Sequence, residues 1–490
     1  MSATVDPDKP IRSLIPTRMD KMPWSRFHWL VIVGLGTAWI LDGLEVQLVA
    51  NGGYEGTLGM DAGQVGATAT VYLVGQVVGA LVFGRMTDTL GRKKLFVLTL
   101  AIYLIGSAMA GLSMNVWWLW AFRFIAGLGI GGEYSAINSA IDELIPGKFR
   151  GRVDLAINGT YWAGAALGAV GSSILLDTNN FDENIGWRIA FFIGPVLGLG
   201  IIYLRRHIPE SPRWLVTHGR SEEAEKIVSG LEADVKAQGK SLPNFDERTD
   251  GIWLKAREGL KPKQLAYVFF KLYPTRTLLA VTLMVTQSFL YNAIFFTSSL
   301  VLQNFYMKTS AQAALYFLPF ALGNLAGPLL LGHFFDTIGR RKMIGGCYTL
   351  AALVLVLSAV LFQADSLTAL THTILWCISF FFASAGASAG YLTVSEVFPL
   401  EVRGQAISYV FAIAQLVGSA GPAIFGALIG DGTDRGPLFW GYMMASGIML
   451  IGGIVAFIFG VDAEGKALEE IAPPLSSFDE DGNETTRLPV

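Results

Sequence analysis

GRMTDTLGRKK at residues 84–94 returns as GHFFDTIGRRK at residues 332–342. Gly84, Asp88, Gly91 and Arg92 align with Gly332, Asp336, Gly339 and Arg340. A second pair follows each copy in register: ELIPGKFRGR at 143–152 and EVFPLEVRGQ at 396–405. Here Glu143, Pro146, Arg150 and Gly151 match Glu396, Pro399, Arg403 and Gly404. Two independent motifs repeated in the same order imply a duplicated architecture.

Outward from these loops the chain is apolar. Of its 490 residues 52% are hydrophobic and 15% charged, with mean hydropathy +0.48, whereas a soluble domain carries about 25% charged residues. A helix that crosses a bilayer needs about 20 mainly apolar residues. Runs of that kind lie near 29–50, 63–83, 95–113, 117–140, 153–176 and 187–204, and then near 277–302, 311–333, 343–363, 370–393, 404–429 and 437–460. The expectation is an all-α membrane protein of twelve transmembrane helices in two six-helix bundles. Domain boundaries follow: an arm at 1–28, a bundle at 29–204, a helical linker at 205–275, a bundle at 276–460 and an acidic tail at 461–490. The linker carries helical patterning in SEEAEKIVSGLEADVKAQG, while most of the tail reads as disordered. No cleavable signal precedes the first run, so that helix is expected to direct insertion.

Charge sets the orientation. Arg85, Arg92, Lys93, Lys94, Lys148, Arg150, Arg152, Arg205, Arg206, Arg213, Arg340, Arg341 and Lys342 cluster on one set of loops. The alternate loops carry acids such as Glu55, Asp61, Asp182, Glu183 and Asp431. The positive-inside rule then puts the basic loops and both termini in the cytoplasm. Net charge of -3 gives no footprint for nucleic acid. Cys347 and Cys377 sit in apolar runs and read as ordinary small residues.

The repeated loops resemble the signatures of the major facilitator superfamily. PESPRWL at 209–215 and EGKALEEI at 464–471 are similar to its sugar-porter branch. The resemblance implies transport by alternating access, with no enzymatic activity, no cofactor and a proton as coupling ion. Lipid and a small metabolite are the expected partners, and the expected state is monomeric, in a bacterial inner membrane. An ATP-driven pump or a membrane enzyme is disfavoured, since no phosphate-binding loop, HExxH or GxSxG constellation is present. A passive facilitator and a non-transporting sensor are the competing classes; the short arm and tail speak against the sensor.

Acids and arginines in the repeated loops can close that end by ion pairs, which must break for opening. The expected set is Asp88, Arg92, Glu143 and Arg150 with Asp336, Arg340, Glu396 and Arg403. Arg and Lys acting only as topology determinants is the plainer reading.

Ionisable side chains within the membrane are costly and therefore functional candidates. WILDGLEVQLV at 39–49 carries Asp42 and Glu45, three positions apart and able to face one cavity. RFIAGLGIGGEY at 123–134 carries Arg123 and Glu133. In sugar porters an acid of the first helix pairs with the Arg that opens the fourth, and the resemblance places these roles on Glu45 and Arg123. Asp42-Gly43 with Glu45 is similar to the DGxD motif of aromatic-acid/proton symporters. Glu45 is the expected proton carrier, with a structural salt bridge as alternative. Glu133, in a stretch resembling the GGE segment of metabolite/proton symporters, is read as binding a cation, proton or amine, or as a fixed partner of Arg123. The surrounding Gly127, Gly129, Gly131 and Gly132, with Gly75 and Gly79, read as close-packing positions.

Polar and aromatic residues of the fifth, seventh and tenth helices are the candidate substrate site: Asn158, Tyr161, Trp162, Gln287, Tyr291, Asn292 and Tyr391. TQSFLYNAIFF at 286–296 resembles the sugar-porter QQxxGxNxxxYY motif, with Gln287 and Asn292 in its hydrogen-bonding positions. Thr286, Asn158, Tyr391, Asn138 and Ala140 depart from that pattern. A hexose needs several simultaneous partners for its hydroxyls. About half the set remains, and the intramembrane charges favour a small organic acid, with sugar as the alternative.

Overall fold

A computed structural model describes residues 11–50, 54–60, 62–176, 180–205, 209–246, 251–254, 262–295, 297–308, 316–430 and 432–475. Its first half holds α1 (Arg26–Ala50), α2 (Ala62–Leu90), α3 (Arg92–Gly111), α4 (Val116–Leu144), α5 (Gly147–Leu175) and α6 (Glu183–Arg205). In the second, α7 runs over Pro274–Leu290, takes a π-helical turn at Tyr291–Phe295 and resumes over Ser298–Tyr306. There follow α8 (Phe317–Thr337), α9 (Arg340–Gln363), α10 (Ala369–Glu396), α11 (Arg403–Gly418, continuing as Ala420–Ile429) and α12 (Gly436–Phe459).

Among the described residues nine of these helices are long and apolar enough to cross a membrane on composition alone. The other three, α2, α4 and α5, are each 29 residues long. Of these, α2 is apolar over Thr70–Gly84, while α4 and α5 carry glycines and charged or polar residues, and all three meet the opposite half. A polar face is tolerable there because it points at protein and not at lipid.

Packing repeats as the sequence does. In the first half α1 packs on α5 and α6, α4 on α2 and α3, and α3 on α6; the second half pairs α7 with α11 and α12, α10 with α8 and α9, and α9 with α12. Across the halves α5 lies against α8 and α10, and α2 against α11. Small residues permit these crossings. A Cβ on Gly164 of α5 would strike the backbone of Ile40 on α1, and one on Gly131 of α4 the carbonyl of Gln76 on α2. The outer surface is apolar: Val196 and Leu199 on α6, Leu353 and Leu357 on α9, and Trp440 and Ile458 on α12 are exposed, as lipid contact requires.

The arm, linker and tail pack against one end of both halves. Strand β1 (Ile11–Ser13) pairs antiparallel with β2 (Ile252–Leu254) of the linker. The helix Ile15–Asp20 buries Ile15 and Met19. Its Arg18 bridges Glu225 at 2.6 Å and Glu232 at 2.8 Å on the linker helix Ser221–Ala237. Burial pushes the Glu225 carboxyl up, but hydrogen bonds from Arg18 and Ser229 outweigh that and hold it below the usual range.

The tail departs from the disordered reading as far as Leu475. Leu468–Ile471 forms a short helix, and Leu468, Ile471, Ala472 and Leu475 are buried. The acidic residues that suggested disorder are pairing groups: Glu469 meets Arg213 at 2.5 Å. Residues 476–490 lie outside the described part. Leu468→Ala should cost about 2–4 kcal/mol of local packing and make the tail cleavable by limited proteolysis. Unchanged protease resistance would show that Leu468 does not hold the tail.

Candidate functional site

Six of the repeated loop residues form a lattice between the halves. Arg340 on α9 reaches Asp336 at 2.7 Å and Glu396 of α10 at 3.1 Å. Glu396 also faces Arg150 of α5, across the two halves, at 3.4 Å. Glu143 at the end of α4 lies 3.6 Å from Arg403 of α11, the reverse crossing. Asp336 accepts a hydrogen bond from the backbone N–H of Arg152 at 2.9 Å. Gly151 makes this approach possible, since its Cβ would fall 2.6 Å from the Arg340 guanidinium. The side chains of Asp88 and Arg92 lie outside the described residues.

Beyond the lattice, the arm and tail add a second tier. Asp20 of the arm meets Arg150 at 2.9 Å and Arg213 at 2.7 Å, and Arg213 continues to Glu469. The conserved spacing of the two repeats also produces a matched helix-capping device. Gly91 and Gly339 take left-handed φ of 92° and 111°, which favours glycine. Each turn lets a carboxylate from the segment after its own bundle reach the next helix N-terminus. Glu210 accepts from the Lys93 N–H at 3.3 Å, and Glu464 from the Arg340 N–H at 3.3 Å. A negative group there offsets the unpaired N–H groups and the dipole.

Inside the first half, Glu45 on α1 is 1% exposed and accepts a hydrogen bond from Ser107 on α3. Gly194 of α6 leaves room for its carboxylate. Asp42 is buried too, and both acids act electrostatically on Tyr72 and Tyr103, so they face a common set of neighbours. Asp42 also acts on Tyr161 and Tyr391, toward the other half.

Arg123 on α4 is 5% exposed and stacks over Tyr72, with its carbon 4.0 Å from the ring centroid. Among the described residues no carboxylate lies within ion-pair distance of it, and its Nε has no hydrogen-bond partner. Glu45 acts on Arg123 electrostatically without a direct ion pair, which corrects the paired expectation. Glu133 is no fixed partner of Arg123 either, because ten residues of one helix separate them by about 15 Å. Glu133 is buried and has its own interactions.

The expected substrate residues divide. Trp162 of α5 stacks on Tyr291 of α7, centroids 5.7 Å apart, and meets Phe295 and Phe320 edge-on. Tyr161 lies beside Trp162, and the Tyr391 hydroxyl partners Gln287. These five residues line the meeting of α5 with α7 and α10. Asn292 donates to Ser288 at 3.4 Å, while Tyr291 donates to Asn324 of α8 at 2.8 Å. Asn158 stands apart: its amide donates to Asp154 one turn earlier at 3.1 Å, toward the lattice.

Several members were not singled out from sequence. Gln76 of α2 and Gln415 of α11 meet across the halves at 3.5 Å, and Ser288 of α7 donates to Gln415 at 2.8 Å. Each Gln is a lone amide in an apolar run, a signal as readable as the charges. Asp142 and Asp154, both 0% exposed, lie at the edges of the apolar runs. Asp20 belongs to a segment read only as a polar arm.

Comparison with known proteins agrees with this architecture. The family described as "Sugar (and other) transporter" matches residues 45–474. A niacin transporter of Acinetobacter baylyi is 26% identical over 465 residues, covering 93% of this chain and 99% of its own. A putative metabolite transport protein of Escherichia coli is 27% identical, covering 93% and 96%. A probable plastidic glucose transporter of Arabidopsis thaliana is 24% identical, covering 90% and 81%. The solved structure of a proton:xylose symporter superposes with TM-score 0.73 at 18% identity, covering 90% of this chain and 98% of its own, which shows the shared fold.

Proposed function

Because the chain belongs to the sugar (and other) transporter family within the major facilitator superfamily, we propose that it is a secondary active symporter carrying a small organic acid together with protons. The observation that carries this reading is Arg123, a buried guanidinium without a carboxylate partner among the described residues. Such a group is costly to bury unless an anion completes it. A substrate carboxylate is a suitable anion, and Tyr72 under the guanidinium orients it. Glu45, sealed beside Ser107, is the proton carrier: protonated it is neutral and tolerable in the apolar wall, ionised it competes with substrate for Arg123. The niacin transporter lends support, since niacin is an aromatic carboxylic acid.

Transport proceeds by alternating access. The lattice of Glu143, Arg150, Asp336, Arg340, Glu396 and Arg403 closes the linker end, and the basic loops there support a cytoplasmic side in our reading, with a bacterial inner membrane as the proposed setting. Rocking of the halves breaks its crossing pairs and opens the path inward. A sugar or polyol is the second reading. It is favoured by Gln76, Gln415 and Ser288, neutral partners suited to hydroxyls.

Uptake of labelled compounds into proteoliposomes under an inward proton gradient decides between these, because a monocarboxylate moving with one proton carries no net charge. The panel holds aromatic and aliphatic carboxylic acids, their amides, hexoses and polyols. The expected result is accumulation of one acid and none of its amide. Accumulation of sugars alone would sink the organic-acid reading and leave the fold-level assignment intact.

A further inference from the structure

Six acids meet at the lattice, four of them buried (Asp142, Glu143, Asp154 and Glu396) with Asp336 and Asp20 at its margin, and three arginines face them, Arg150, Arg340 and Arg403, among the described residues. Glu143, Asp336 and Glu396 take those guanidiniums as partners, and Asp20 of the arm takes a further share of Arg150. Asp142 of α4 and Asp154 of α5 are left. Both are 0% exposed, and neither has a guanidinium within ion-pair distance among the described residues. Neither oxygen of Asp142 has a hydrogen-bond partner, and Oδ1 of Asp154 has none. Ser395 of α10 stands beside Asp142, but its hydroxyl donates to the carbonyl of Leu392. Asp142 feels Arg403 and Arg150 and then Glu396, while Asp154 feels Asp142 and Glu396 ahead of Arg340.

Two ionised carboxylates in a dry site, with the Asn158 amide as their one hydrogen-bond donor among the described residues, would cost several kcal/mol, which a bound proton lowers. We propose that Asp142 and Asp154 form a second proton-binding site, separate from Glu45, that holds a proton while the linker end is closed. Opening that end parts Arg150 from Glu396 and Arg403 from Glu143 and admits water. The carboxyl O–H then breaks, the proton passes to water on the linker side, and a carboxylate remains, hydrated. Asn158, whose amide binds the other oxygen of Asp154, positions that carboxyl and links it to α5 below the aromatic contact with α7. The proposal rests on the alternating-access reading but not on Glu45 as carrier.

The sign follows from mass action. A state that binds fewer protons gains as pH rises, so the opened linker end is favoured at high pH, by up to about tenfold per pH unit for one proton.

The test uses the full chain in nanodiscs carrying Glu45→Gln, which silences the first site. Infrared spectra are expected to show a protonated carboxyl band at neutral pH that weakens in Asp154→Asn and Asp142→Asn. Spin labels at Lys148→Cys and Lys342→Cys, one exposed position on each half at this end, report opening after Cys347 and Cys377 are replaced by Ala. The separated population should climb with pH by up to about tenfold per unit and lose that dependence in either Asn variant. No protonated carboxyl band in the Glu45→Gln protein overturns the proposal without needing either Asn variant to fold. So does a pH response that vanishes with Glu45→Gln alone, or one that survives both Asn variants. Loss of proton-driven uptake with the pH response intact would instead bear on Glu45.

Discussion

Glu45→Gln is expected to reduce accumulation driven by a pH gradient to the level of empty liposomes, while exchange of substrate across the membrane persists. One coupled proton contributes about 1.4 kcal/mol, or tenfold accumulation, for each unit of pH difference. Glutamine is fixed in the neutral form, so it imitates the protonated carrier and can still cycle with substrate. It cannot release a proton, and the gradient loses its hold on the cycle. The environment makes the substitution mild in structure: Ser107 keeps a side-chain oxygen to donate to, and the cradle at Gly194 accepts an isosteric group. Accumulation and counterflow measured side by side separate coupling from folding. Undiminished accumulation would remove Glu45 as carrier and put the coupling site elsewhere.

Glu396→Gln should have an effect of similar size on conformation. Glu396 is 0% exposed and joins Arg340 at 3.1 Å to Arg150 at 3.4 Å, so it ties one half to the other. Removing one member of a buried ion pair costs about 3–5 kcal/mol because the remaining charge is left uncompensated. Water reaches those arginines when the linker end opens, so the cost falls mainly on the closed state. With every 1.4 kcal/mol worth tenfold, the closed population should fall by two orders of magnitude or about that. Distances between labels at Lys148 and Lys342 read the change. Asp365→Asn is the control, since Asp365 pairs with Arg435 at the opposite end and is well exposed. Unchanged label distances in Glu396→Gln would show that the lattice does not hold the closed state.

The fold was legible because both of its determinants are local and periodic. Bilayer thickness forces runs of a fixed length, and duplication repeats the loops between them. The pairing of Arg150 with Glu396 was half legible: the residues stand out, but which half each one faces depends on the approach allowed at Gly151. Glu45 and Asp42 were visible as charges and share Tyr72 and Tyr103 as neighbours, whereas the hydrogen bond from Ser107 to Glu45 depends on the packing of α3, which spacing within α1 does not show. Asp154 escaped notice for a different reason. At the end of an apolar run an acid reads as solvated, and only the packing of α8 and α10 over α5 reveals that it is sealed. Asp20 and Glu469 were hidden likewise, since a polar segment carries no periodic mark of the surface it will cover.

Duplication gave the halves interchangeable helix caps at Gly91 and Gly339, each served by a carboxylate from the segment that follows its own bundle. The knot of Asp20, Arg150, Arg213 and Glu469 has no such symmetry. It ties the arm, the linker and the tail together at one face, and among the described residues Asp20 has no counterpart ahead of the second bundle. Ancestral order has become irreversible through this knot. A circular permutant that opened the chain within the linker would keep every helix and every cap, yet would place new ends where Arg213 now gathers the old ones.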